Sequence, residues 1–266
     1  MINKEWDRAA LLAEKYLDFE TLVIICESTD NLQRLDSYMD RFSAEGFSEF
    51  LYSWYLKENK QGKLLKRYRK YGKAAINQKL TTFLTDHPML FWMQSVFNKQ
   101  YREAADTLKA LANQETHSLI RQKTMFSLSK LAKIAEDNDC DVEFVNDINS
   151  CLELVALQEQ IPDYVLQHYS YDTLHPSVIS PKDMVHLYTC IEYTDAKELE
   201  FKKALDLLIY VDDDELTNEL RLKIWSAAIL RDTWTERSSD SPLEILKNKL
   251  FFKLADLALI LGTYMW

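Results

Sequence analysis

Glycine is scarce in this chain: it holds four glycines in 266 residues, where roughly 19 would be average for a soluble protein of that length. Proline is nearly as rare, with five. Glycine supplies the positive-φ positions of tight turns, hairpins and phosphate-cradling loops, so little material is left for any of these. The motifs that need them are absent too. There is no GxGxxG, no GxxxxGK before Ser or Thr, and no GxSxG. The four cysteines, Cys26, Cys140, Cys151 and Cys190, lie far apart with no CxxC. That usage reads as reduced thiols of a cytosolic or nuclear protein. Long apolar runs are also missing. The longest, Leu257 to Leu261, is far short of the ~20 residues that cross a bilayer. Lys4, Glu5, Asp7 and Arg8 interrupt anything resembling a signal peptide at the N-terminus.

What is there is ordinary for a folded protein: 47% hydrophobic and 28% charged residues. The net charge of −10 opposes a general nucleic-acid binder, which needs a basic face. The apolar spacing is helical almost throughout. Ala9, Leu12, Ala13 and Tyr16 form one stripe; Leu22, Ile25 and Cys26 begin another. Asp30 is placed to cap a third helix, with Gln33 reaching back, and Leu32, Leu35 and Met39 on its face. Phe47 to Leu56 is an aromatic-rich helix, Gly62 and Gly72 punctuate the stretch after it, and His87-Pro88 marks a boundary. Further on, a helix is expected from about Thr116 to Asp137, and Phe144, Ile148, Leu152 and Val155 form the next stripe. Ser180-Pro181 with Asp183 is a strong helix start, and Ser241-Pro242-Leu243-Glu244 repeats it as a capping box. Leu243, Leu246, Leu250, Leu254, Leu257 and Leu261 then read as one continuous seam.

The pattern predicts an all-α protein, an irregular α-helical solenoid of about twelve to fourteen stacked antiparallel helices. Residues 1–160 form an N-terminal stack, 161–180 an irregular connection carrying Pro162 and Pro176, and 181–266 a C-terminal stack. No fixed-period repeat is visible.

Chemistry is sparse. The five histidines include no HExxH pair, and His186 with Cys190, four apart on one helix, supplies two of the four ligands a structural zinc wants. Asp212-Asp213-Asp214-Glu215 lacks the alternating ligands and central glycine of a calcium loop; it suits the start of a helix, where carboxylates complement the dipole. No metal, cofactor or catalytic residue is expected. Lys63, Lys66, Arg67, Arg69, Lys70 and Lys73 interleave with Tyr68 and Tyr71. This composition has three readings: a solvated helix face, a docking patch for acidic proteins, or a nucleic-acid contact through charge and stacking.

Several stretches carry a family resemblance. They are Leu12 to Phe19, Phe47 to Leu56 with Gly62-Lys-Leu-Leu65, Thr124 to Ala132, Phe201 to Leu208 with its acidic tail to Glu215, Leu230 to Trp234, and Asp240 to Ile245. In order and number they resemble the C-terminal helical domain of the nucleoporin one-thirty-three family, scaffold proteins of the nuclear pore's Y-shaped outer-ring complex. The resemblance implies a helical stack with a structural role in nucleocytoplasmic transport and mRNA export. It also implies binding to the neighbouring helical nucleoporin, one-hundred-and-seven, at the nuclear envelope. The family's β-propeller and its curvature-sensing membrane motif have no counterpart in this sequence, and the pattern departs from the family after Leu257, as expected of a fragment or shortened product. The partner interface is expected on two helices, with Tyr101, Ala104, Ala105, Leu108 and Leu111 on the first and Thr124, Leu128 and Leu131 on the second. Alanines there would let backbones approach closely, and leucines would anchor the partner.

Overall fold

A computed structural model describes residues 2–71, 74–136, 141–234 and 242–260, with side chains over 5–66, 78–136, 141–234 and 244–260. All regular structure among the described residues is helical. The helices are α1 (Ile2–Tyr16), α2 (Phe19–Ser28), α3 (Leu32–Arg41), α4 (Phe47–Lys57), α5 (Gln61–Tyr71), α6 (Ala74–Leu84), α7 (Pro88–Phe97) and α8 (Tyr101–Gln114). They continue as α9 (Leu119–Ile134), α10 (Val142–Glu159), α11 (Asp163–His168), α12 (Pro181–Thr189), α13 (Glu198–Asp206), α14 (Asp214–Arg231), α15 (Pro242–Asn248) and α16 (Leu250–Ile260). A 3-10 turn, Leu207–Tyr210, links α13 to α14. Sixteen α-helices among the described residues exceed the twelve to fourteen expected, because short helices such as α11 and a break in the last apolar seam escape a periodicity count.

The chain forms two compact units, 1–107 and 108–266, and the division falls within α8. Some helices pack on their chain neighbours, as α1 on α2, α9 on α10 and α12 on α13, and others skip along the chain, as α12 on α14 and α13 on α16, in keeping with an irregular α-helical solenoid. In the first unit α4 is central, touching α2, α3, α5 and α6. Its Phe47, Leu51, Tyr52, Trp54 and Tyr55 are buried. The Phe19 ring meets Phe47 edge-on at 5.1 Å and lies 5.8 Å from Phe50, an aromatic geometry worth about 1 kcal/mol beyond burial. In the second unit α12, α13, α14 and α16 surround Tyr188, Phe201, Leu207, Ile224 and Leu254, all buried. The Tyr188 hydroxyl donates to the Leu157 carbonyl at 2.6 Å, so its polar end is satisfied inside. The segment 161–180, read as irregular, lies inside this unit and contains α11. The stretch between α11 and α12 is tied down. Val178 N–H donates to Thr116 and Leu119 N–H to Pro176. The buried Gln158 amide accepts from Ile179 N–H at 2.9 Å and donates to the Ser177 carbonyl at 2.6 Å.

Helix ends account for the other differences from expectation. Glycine scarcity predicts few left-handed turns, yet Leu17, Asp30, Asn59, Lys99 and Ser170 all take positive φ, between 49° and 62°. Four of them close helices with paired bonds. After α7, for example, Lys99 N–H reaches Val96 and Gln100 N–H reaches Ser95 at 2.8 Å. This is the six-to-one closure that satisfies orphan carbonyls, and here non-glycine residues bear its steric cost. Asp30, expected as a cap, takes one of these stops, and Asn31 caps α3 by accepting from Arg34 N–H. Gly46 (φ 81°) precedes α4, where positive φ asks for glycine. Gly62 sits in the first turn of α5 and does not break it. Ser180 caps α12 with Pro181 at its first position, as the sequence indicates. Asp213 caps α14, with Asp214 and Glu215 in the first turn, so the acidic run is a helix start. The last seam is not continuous. The Asp232 carboxylate accepts from Leu250 and Phe251 N–H at 3.0 and 3.2 Å and starts α16 anew. The capping box at Ser241 lies outside the described residues.

Because Lys99 is exposed and left-handed, Lys99→Gly removes backbone strain there. It should raise stability by about 0.5–1 kcal/mol, read as a higher urea midpoint with unchanged slope.

Candidate functional site

Two helix-helix surfaces and one basic helix carry the features a site would need. The first surface is α9. Its inward residues are Leu119, Met125, Phe126, Ser129 and Ala132, all buried. Ser118 starts the helix by accepting from Arg121 N–H. Buried Lys133 is held by Glu136 at 3.0 Å and lies 5.4 Å from the Phe144 ring of α10. The opposite stripe is also apolar, with Ile120 at 64% exposure, Leu131 at 62% and Ile134 at 54%. Thr124 is exposed on the same stripe, and Leu128 is half-buried beside it. Cations flank this face: Lys123 pairs with Glu159 at 2.7 Å, and Lys130 reaches Asn149.

The sequence-derived interface therefore divides. Thr124, Leu128 and Leu131 stand on the solvent side of α9, whereas Ala104, Ala105 and Leu108 of α8 are fully buried in the protein's own packing. Tyr101 and Leu111 are half-buried. The alanines are already spent on internal approach. Ile120 and Ile134 were missed, although their spacing from Thr124 and Leu131 would have found them.

The second surface is a groove of about 790 Å³ between α12 and α14, floored by Val185, Leu220 and Ala227 and edged by Ile191, Leu222 and Leu230. His186 and Cys190 both line it. The Cys190 thiol donates to the Leu187 carbonyl, and burial pushes its pKa up. His186 stacks edge-on against Tyr169 at 5.2 Å. Neither pairs with the further ligands that zinc needs. Among the described residues no three His, Cys, Asp or Glu side chains cluster so as to hold a metal, and no helix is long and apolar enough to cross a membrane.

The basic stretch lies on α5. Lys63 is engaged: its ammonium donates to Glu27 at 2.9 Å, and Glu27 also accepts from the Tyr55 hydroxyl at 2.7 Å. Lys66 is exposed. The side chains of Arg67, Tyr68, Arg69, Lys70, Tyr71 and Lys73 lie outside the described residues. Burial alone would raise the Glu27 carboxyl. The hydrogen bonds from Tyr55 and Lys63, with the charges of Lys63 and Lys60, outweigh it and hold the pKa below 4.5.

Among the described residues all regular structure is helical and several helices expose apolar faces, which puts the protein in the class of α-helical scaffolds. The comparison with known proteins gives the family. The chain belongs to the non-repetitive/WGA-negative nucleoporin C-terminal family, whose model matches residues 1–179. Nuclear pore complex protein Nup133 of Drosophila melanogaster is 36% identical over 261 residues, 98% of this chain and 21% of that protein. Nup133 of Homo sapiens is 38% identical over 251 residues, 92% of this chain and 21% of that protein. Nuclear pore complex protein 15 of Caenorhabditis elegans is 26% identical over 255 residues, 92% of this chain and 22% of that protein. The chain thus spans about a fifth of the length of these curated relatives.

A depressed carboxylate stabilises the fold fully above its unfolded pKa and loses that contribution as pH falls through the folded value. Glu27→Gln should cost about 1–2 kcal/mol at pH 7. The gap from wild type should shrink as pH falls below 4.5, measured by urea midpoints across pH.

Proposed function

We propose that this chain is a structural part of the nuclear pore complex at the nuclear envelope. Its work is to hold a second helical nucleoporin, the neighbour named one-hundred-and-seven in the Y-shaped outer ring, and so to support nucleocytoplasmic transport and mRNA export. The mechanism is affinity and geometry without turnover. The family match supports the setting. The observation that carries the docking reading is the exposed apolar stripe Ile120, Leu131 and Ile134 on α9, a helix whose other face is already buried. A helix apolar on both sides stabilises a partner as well as its own fold. The exposed Thr124 and half-buried Leu128 extend the same contact.

The test uses purified chain and the C-terminal helical region of the proposed partner in isothermal calorimetry. Because Leu131 is exposed, Leu131→Lys should leave the circular dichroism spectrum and thermal midpoint intact. It should weaken binding by about 30-fold or more, as loss of a hot-spot anchor does. Unchanged affinity would remove α9 from the interface.

A further inference from the structure

A pocket of about 660 Å³ opens between α14 and α16, walled by Arg221, Leu222 and Trp225 of the first helix and by Phe251, Phe252 and Ala255 of the second. That is the size of a small-molecule site. The two helices meet inside the second unit, where Leu220, Ile224 and Ala228 of α14 and Leu254 and Ala258 of α16 are buried. Trp225, Phe251 and Phe252 are only half-buried, so aromatic surface is left over beside the buried seam.

The aromatic wall is preset. Trp225 and Phe251 meet edge-on with ring centres 5.5 Å apart, and Phe251 meets Phe252 edge-on at 5.3 Å. Rings that touch by their edges keep faces free for a further ring. The start of α16, which carries both phenylalanines, is tied to the end of α14. The Asp232 carboxylate accepts from Leu250 and Phe251 N–H, and the Lys249 ammonium donates to the Thr233 carbonyl. Walls fixed in this way do not need reordering when a ligand arrives.

Arg221 is the charged residue of this lining, and no acid lines the pocket with it. It is half-buried. Its Nη1 donates to the neutral Asn218 amide oxygen at 3.1 Å, and among the described residues it meets no carboxylate. Other arginines are matched: Arg34 with Asp7, Arg41 with Glu14 and Arg121 with Glu115. A guanidinium has five donors, so Arg221 can still offer a fork to an anionic oxygen group. Length limits the occupant. From Asn218 to Trp225 α14 covers about 10 Å, and from Phe251 to Ala255 α16 covers about 6 Å, at a rise of 1.5 Å per residue. A partner helix is itself about 10–12 Å across, so it would be held over little more than its own width. A compact body fits the space better.

We propose that the pocket between α14 and α16 binds an amphipathic small molecule, a flat aromatic body carrying one anionic group, with the body against Trp225, Phe251 and Phe252 and the anion on Arg221. The rings supply most of the burial, and the single cation sets which end of the molecule lies at α14. This site is separate from the apolar stripe of α9.

The experiment titrates the whole chain with two fluorescent probes, anilinonaphthalene sulfonate and phenylnaphthylamine, which share one aromatic body and differ in the sulfonate. The sulfonate probe should bind at one saturable site. Arg221→Gln should weaken it by about tenfold, as loss of a charge-assisted contact does, and change phenylnaphthylamine by less than about twofold, because that probe makes no ionic contact. Ala255→Phe fills the pocket and should abolish binding of both probes while the thermal midpoint holds; if that variant does not fold, the Arg221→Gln comparison decides alone. Unchanged sulfonate affinity in Arg221→Gln, an equal loss of both probes there, or binding that survives in a folded Ala255→Phe variant would overturn the proposal. So would a whole chain that binds neither probe when a chain ending at Ile260 binds both, because residues 261–266 would then own the pocket. A dimer in sedimentation that Ala255→Phe dissolves would overturn it in favour of a second copy.

Discussion

The helices that build the two cores of this protein depend on burying a stripe against their neighbours. The helices run from six to eighteen residues, and isolated helices shorter than about 12–15 residues are marginal in water. Intrinsic propensity therefore cannot hold them, and burial must. Two cores supply it. One is gathered on the aromatic α4, the other on the bundle of α12, α13, α14 and α16. Because each stripe needs a partner close in sequence, the chain must stop and turn back repeatedly, and the chemistry of helix ends becomes as important as that of helix faces.

Apart from Gly46 before α4, the positive-φ ends among the described residues are managed without glycine. Left-handed stops at Leu17, Asp30, Asn59, Lys99 and Ser170 accept a steric cost, and polar side chains satisfy what the backbone leaves open. Asp213 and Ser180 act locally as caps. Others act at a distance: Asp232 starts α16, Gln158 fastens the segment after α11, and Arg231 gathers the carbonyls between α12 and α13. Each is a charged or amide group with several partners, where the loss of one side chain leaves several backbone groups unpaired. The fold is thus apolar in its driving force and polar in its specificity.

A stack built in this way leaves apolar faces wherever a helix has no neighbour. On α9 and on α14 such faces lie opposite buried ones. Shape and charge, rather than reactive groups, are what these surfaces offer, in keeping with a family of nuclear pore proteins. The titratable groups that are shifted, such as Glu27, Glu14 and Glu192, are bonded to tyrosines or cations and serve the architecture.

By itself the sequence determined the class of fold, most helix positions, the start at Ser180-Pro181, the acidic start of α14 and the family. These rest on spacing of i to i+4 and on caps within four residues, which are local and survive without neighbours. The tertiary structure decided which stripe faces inward. In α1 the stripe read as Ala9, Leu12, Ala13 and Tyr16 is split: Ala13 is buried beside Ala10 and Ala9 is half-buried, whereas Leu12 and Tyr16 face water. In α8 the small residues expected at a partner interface became internal packing. The break before α16 depends on a carboxylate eighteen residues away. A helix with two apolar stripes satisfies the same periodicity whichever way it is turned, and only the neighbours it packs against supply the energy that chooses.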